Sequence, residues 1–352
     1  MSRPINNQTY WTVENSDRSL QSLLMTIVSV ISTITMFLLF HLILHYSKKE
    51  KRSSRIVNFL QNVFLYLAQL HWGSLANLVL LLPFPGAYCI GVLGSLLSTH
   101  WLVVIWACLF ACFTLMLFLE ILLRLKALAR PKCWFDWKPS TYFFIIILLL
   151  INNYIPGFSI CFTLFQTEET IRNFVILYFP NSLKALEHPG ILVFLDPWIF
   201  HVLVVLVPIW LVTGAMAYFF FCFGIVFELK KQEMTMSANT IKYHVKVLKD
   251  TIVRDTVGGI FLATAPILCF ICAFVSPNTD IILPATLGSV SFAAAPIPCT
   301  IVAFFQKKNY RDFFQAKLLF WRIRERVIGS SGEHREPRVP RGTENHAVYP
   351  AN

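Results

Sequence analysis

Long apolar runs separated by clusters of lysine and arginine constrain this chain more than any other feature of its sequence. Between the first and second runs sit Lys48, Lys49, Lys51, Arg52 and Arg55. Between the third and fourth sit Arg124, Lys126, Arg130, Lys132 and Lys138, and between the fifth and sixth Lys230, Lys231, Lys242, Lys246, Lys249 and Arg254. The last cluster runs from Lys307 and Lys308 to Arg338 and Arg341. Of the 30 Lys and Arg, only Arg3, Arg18, Arg172 and Lys184 fall on the opposite set of segments. Basic loops are retained on the cytoplasmic side of a membrane. The pattern therefore predicts seven crossings, with the amino terminus outside and the carboxyl terminus in the cytoplasm.

A spanning helix needs about 20 predominantly apolar residues. The candidate spans are 22–46, 56–82, 96–123, 140–164, 199–227, 255–275 and 282–305. Only 14% of residues are charged and 56% are hydrophobic, against about 25% charged in a soluble domain. The expected fold is an all-α membrane protein, a seven-transmembrane helix bundle. A net charge of +11 does not indicate nucleic acid, because it is confined to loops facing one leaflet. Anionic lipid and a cytoplasmic partner account for it.

The expected organisation has four parts. Residues 1–21 form an extracellular tail that lacks the pattern of a cleaved signal, so the first run is expected to insert as an uncleaved anchor. Residues 22–305 form the bundle. Residues 306–328 form an amphipathic juxtamembrane helix, with Tyr310, Phe313, Phe314, Leu318 and Trp321 on one face and Arg311 and Arg322 on the other, which suits the lipid interface. Residues 329–352 are polar and expected to be disordered.

Candidate sites follow from the same frame. Asn7-Gln8-Thr9 is a glycosylation sequon on the outer side. Cys89 and Cys161 lie near the outer face, so a disulfide between them and two free thiols are both open. Glu120 and Arg124 stand one turn apart at the inner end of the third span. They are either an interfacial ion pair or a charge lock released when the bundle opens. Trp101, Trp106 and Trp198 are candidates to line an outer-half ligand pocket between the third, fifth, sixth and seventh spans. His41 and His45 have metal-ligand spacing, but their helix supplies no third ligand. The second outer loop, 165–198, is either a lid or a solvated connection. Pro266, Pro284, Pro296 and Pro298 are either pivots or tolerated membrane-helix prolines.

The chain carries no phosphate loop, nucleophile elbow or carboxylate pair set for acid–base work, and no enzyme or cofactor is expected. A small-solute transporter is the alternative to a receptor, disfavoured by the scarcity of intramembrane charge and the lack of internal repeats. A seven-helix membrane hydrolase would need several His and Asp near one face.

Particular residues narrow the receptor reading. Leu70-His71-Trp72-Gly73-Ser74, Pro83-Phe84-Pro85-Gly86-Ala87-Tyr88-Cys89-Ile90-Gly91, Val193-Phe194 with Asp196, Met236-Ser237-Ala238-Asn239-Thr240 with Leu248-Lys249, and Pro298-Cys299-Thr300-Ile301-Val302 with Asn309-Tyr310-Arg311 occur in order. Together they resemble the nematode chemoreceptor families, most closely serpentine receptor class H, with the sister class I as the nearest alternative. The resemblance implies a chemosensory G-protein-coupled receptor in the plasma membrane of a sensory neuron or its cilium. Its implied partners are a small-molecule ligand, a heterotrimeric G protein and the lipid bilayer, with Glu120, Arg124, Tyr310 and Arg311 at the coupling face. Two departures stand out. The family's Glu-Asn-Arg is here Glu120-Ile121-Leu122 with Arg124 displaced, and a Gln usual near the start of the sixth span is replaced by Arg254.

Overall fold

A computed structural model describes residues 18–46, 52–81, 86–163, 166–178, 183, 186–187, 190–195, 197–233, 235–274, 282–313 and 315. The helices are α1 (Arg18–Tyr46), α2 (Arg52–Leu70), α3 (Thr99–Leu128), α4 (Pro139–Thr163), α5 (Glu168–Tyr178), α6 (Pro197–Lys231), α7 (Ala238–Phe274), α8 (Ile282–Ala293) and α9 (Pro296–Gln306). Four of them are long and apolar enough to cross a membrane: Leu20–His45, Thr99–Leu128, Val205–Lys231 and Ala238–Leu268. Leu283–Ala293 and Pro296–Gln306 meet that standard as a pair bent by 42°. The bend falls at Pro296, which lacks the N–H that would continue the helix.

Helix α3 packs on α2, α4 and α6; α6 packs on α7; α7 packs on α8 and α9; and α1 closes against α2, α8 and α9. Large apolar side chains stand exposed on the outside of these helices, among them Ile34 (64%), Phe37 (61%), Phe143 (64%) and Phe223 (68%). An aqueous surface would penalise such a display, whereas lipid accepts it.

The expectation of an all-α chain is corrected at one end of the bundle. The second span was expected to remain helical to residue 82. Instead α2 gives way to a π-helical turn at His71–Leu75 and then to strand β1 (Leu78–Leu80). Asn77, at φ 46°, turns the chain between them. Strand β1 pairs antiparallel with β2 (Gly86–Cys89), which pairs antiparallel with β3 (Leu192–Val193). A short apolar run has no periodicity that separates strand from helix, and here the pairing partners decide.

The segment 165–198 supplies both β3 and α5. Val79, Leu81, Tyr88, Ile171, Val175 and Val193 form an apolar core of their own beneath it. The sheet is tied to the helix ends by Gln21 Nε2 donating to the Leu78 carbonyl (3.3 Å), Asn77 Nδ2 to Ser22 Oγ (3.2 Å) and Thr99 N to the Gly190 carbonyl (3.2 Å). Cys89 holds a free thiol there, and burial pushes it up to about 11. The side chain of Cys161 lies outside the described residues, as does Asn7.

Gly91 shows how tightly the π-turn packs. A Cβ on it would lie 2.3 Å from the Leu75 carbonyl oxygen and 2.7 Å from two main-chain carbons. Main-chain atoms cannot rotate aside, and Gly91 N also donates to the Ala76 carbonyl at 2.8 Å. Gly91→Ala is therefore expected to destabilise the fold by about 1–3 kcal/mol or more, read as a lowered melting temperature in detergent.

Residues 307–352 form a second unit. Within it residues 308–313 are helical and Lys307 Nζ lies 5.3 Å from the Tyr310 ring. The remainder of the expected amphipathic helix, beyond 315, and the tail at 329–352 lie outside the described residues.

Candidate functional site

Among the described residues, buried polar side chains gather between α2, α3, α6 and α7. Helix α2 carries Asn58, Gln61 and Asn62 on one buried face, the i, i+3, i+4 spacing that aligns side chains on a helix. Facing them from α7 is Arg254, whose guanidinium fans out to four side chains. Nε donates to Asp255 Oδ1 (3.0 Å), Nη1 to Asn58 Oδ1 (2.8 Å), and Nη2 to Glu120 Oε2 (3.0 Å) and Gln61 Oε1 (3.3 Å). Glu120 accepts a further bond from Arg124 Nη2. Asp255 accepts from Tyr218 on α6 (2.8 Å) and weakly from Gln61 Nε2 (3.4 Å).

The Glu120, Asp255 and Arg254 side chains are 3%, 5% and 11% exposed. Two guanidiniums face two carboxylates, so the cluster as a whole is neutral. That neutrality is what allows it in a bundle, where an unpaired charge is expensive. A third buried carboxylate, Glu228 on α6, is met by Arg130 Nε at 3.1 Å. Beside it Gln232 Nε2 donates to the Leu128 carbonyl, so the end of α6 is held to the end of α3.

Adjoining the cluster is a cavity of about 390 Å³ between α3, α4, α6 and α7. Its walls are mainly Phe110, Phe113, Leu117, Trp210, Leu211 and Leu262, and Tyr218 and Asp255 form part of its lining. Two glycines, Gly214 on α6 and Gly259 on α7, leave it open: a Cβ on either would meet nothing within 4 Å. The volume falls within the usual range for small-molecule pockets.

The sequence-derived candidates divide around this centre. Glu120 and Arg124 are paired as their spacing predicts, and Glu120 is also bridged to α7 through Arg254. Arg311 is exposed in the separate second unit. Trp106 packs against Trp72 (4.9 Å between ring centroids) and Phe292 (5.7 Å), at the core of the bundle. Trp101 is 48% exposed, and the Trp198 side chain lies outside the described residues. The indole lining the cavity is that of Trp210. The lining comes from α3, α4, α6 and α7, so α4 takes the place expected of the seventh span.

The sequence assigns no role to Asp255, Asn58, Gln61 or Tyr218, and it marks Arg254 only as one of a basic cluster, standing where a Gln is usual. A signal existed for them. Amides at helical spacing in an apolar span, and an Arg-Asp pair at the mouth of another, are costly in lipid and are retained where they pair. Counting Arg254 with the basic loop concealed it.

A family model described as "Serpentine type 7TM GPCR chemoreceptor Srh" matches residues 16–320. A search of curated proteins finds no match.

Proposed function

The chain belongs to the Srh family of serpentine seven-transmembrane G-protein-coupled chemoreceptors, and on that premise we propose that it detects a small external molecule and relays its arrival to a heterotrimeric G protein. It sits in the plasma membrane of a sensory neuron or cilium, with seven spans, the amino terminus outside and the basic end in the cytoplasm. Helices α1, α2, α3, α4, α6 and α7 supply six of the crossings, and the bent pair α8–α9 supplies the seventh.

One observation carries the reading: the cavity and the charge cluster share residues. Asp255 and Tyr218 line the cavity, Asp255 is held by Arg254, and Arg254 holds Glu120 on α3. A ligand filling the cavity presses directly on the bond that joins α7 to α3. Beyond Arg254, α7 continues toward the basic end as far as Ala238, about 24 Å of helix at 1.5 Å per residue. A small tilt at the cluster is therefore amplified at the cytoplasmic end. The ligand shifts the balance to the extent that it binds the tilted arrangement more tightly than the untilted one. In the tilted state Glu120, parted from Arg254, keeps Arg124, and the end of α3 that carries this pair faces the G protein.

The test is a screen of small molecules on cells expressing the chain, with nucleotide exchange on the G protein as the readout. A ligand-dependent signal is expected. Arg124→Ala should weaken it by roughly tenfold, within the usual range of allosteric coupling, at equal surface expression. A full response in that variant removes the coupling role of Arg124. Solute flux into proteoliposomes would replace receptor with transporter.

A further inference from the structure

The cavity restricts the chemistry of what fills it. Six residues with hydroxyl, amide or carboxyl side chains line it, Thr114, Asn152, Asn153, Tyr218, Asp255 and Thr256, beside the Trp210 indole, whose buried N–H is left for an uncharged acceptor. Four of these are already committed. Thr114 Oγ1 donates to Asn153 Oδ1 at 2.9 Å, Asn153 Nδ2 donates to the Leu149 carbonyl at 2.7 Å, and the Tyr218 hydroxyl donates to Asp255. Asn152 and Thr256 are exposed. A cationic ligand finds no free counter-ion, because Arg254 already neutralises Asp255. An anionic ligand would meet that carboxylate. Burying an unpaired charge here is prohibitive, whereas burying apolar surface is favourable.

The geometry also indicates a route. The cavity is bounded on α6 and α7 by Phe219 and Ile260, which are 52% and 61% exposed on the lipid-facing surface. Between them Gly214 and Gly259 present no side chain. Where α1 and α3 begin, the three-stranded sheet and the segment that follows α5 are tied to them by the hydrogen bonds of Gln21, Asn77 and Thr99.

We infer that the ligand of this cavity is an uncharged lipophile dissolved in the bilayer, and that it enters sideways past Gly214 and Gly259 and not through the sheet-capped end. The inference rests on the reading of the chain as a membrane receptor, but it concerns binding alone.

The experiment uses the full chain in phosphatidylcholine proteoliposomes and two photolabels. One is 3-phenyl-3-(trifluoromethyl)diazirine, which is uncharged and partitions into lipid. The other carries a trimethylammonium group on the same ring and remains in water. After irradiation, labelled peptides are mapped by mass spectrometry. The uncharged label is expected to mark the segments around Gly214 and Gly259 saturably. The ammonium label should mark them at less than a tenth of that level.

Gly214→Phe should reduce the saturable labelling at least tenfold while leaving that of exposed Phe37 on α1 unchanged. Excess (trifluoromethyl)benzene, which is not photoreactive, should do the same on the unaltered chain, so the outcome does not depend on the variant folding. Equal labelling by the ammonium probe overturns the inference. So does labelling that rises linearly with concentration, as it should at Phe37. Saturable labelling without nucleotide exchange in the cell screen leaves this inference standing and removes the signalling role. Linear labelling with the exchange intact does the reverse.

Discussion

Arg254→Gln is expected to be the most damaging single substitution in the bundle, lowering stability by about 3–5 kcal/mol. The guanidinium is the one group that reaches Asn58, Gln61, Glu120 and Asp255 together. Without it the cluster keeps two carboxylates but only the Arg124 cation, and the pair that loses its counter-charge is almost wholly buried. Arg254→Lys should recover little of the loss. An ammonium is a point charge, and the site demands a planar fork.

The measurement is thermal unfolding in detergent for Arg254→Gln, Glu120→Gln and the double variant. The double variant removes one charge of each sign and restores neutrality, so it should be destabilised by clearly less than the sum of the single changes. Additive effects, or an Arg254→Gln protein within about 0.5 kcal/mol of the parent, would show that the cluster is not a coupled unit. The fraction that remains folded should signal without ligand, because the tie between α3 and α7 has been cut.

Gly259→Trp should abolish the response to any cue the screen identifies, while leaving the fold intact. A Cβ at this position would meet nothing within 4 Å, and the space beyond it, which the indole would take, is the cavity. A ligand would then have to displace an already packed ring. Forcing such volume into a filled site costs up to about 3 kcal/mol, or roughly a hundredfold in affinity. Gly259→Ala adds one methyl and should change the response only slightly. A tryptophan variant that melts like the parent and still responds at the parent's ligand concentration would place the binding site elsewhere.

These two experiments address the parts of the protein that its sequence displayed least clearly. The apolar runs and the basic clusters were legible because both are local: a run of greasy residues is a membrane helix regardless of its neighbours. The Glu120–Arg124 pair was legible for the same reason, since four residues on a helix make one turn. The strands at Leu78–Leu80 and Gly86–Cys89 were not legible, because a short apolar run reads alike as the end of a helix or as a strand until its partners are known.

The case of Arg254 is sharper. Along the chain it is the last of a series of basic residues, and a charge count assigns it to the cytoplasm. In space it is enclosed by residues from α2 and α3 that are nearly two hundred and more than a hundred positions away. Likewise, tryptophan content marks aromatic candidates, but which indole borders the cavity depends on how α6 is rotated against α3 and α7, and that rotation places Trp210 there.

What the sequence determined alone was therefore the class of solvent, since transfer into lipid is set residue by residue. What the tertiary structure decided was which polar groups neutralise one another and where a void remains. Pairing and packing are properties of groups brought together by folding, and no linear pattern records them.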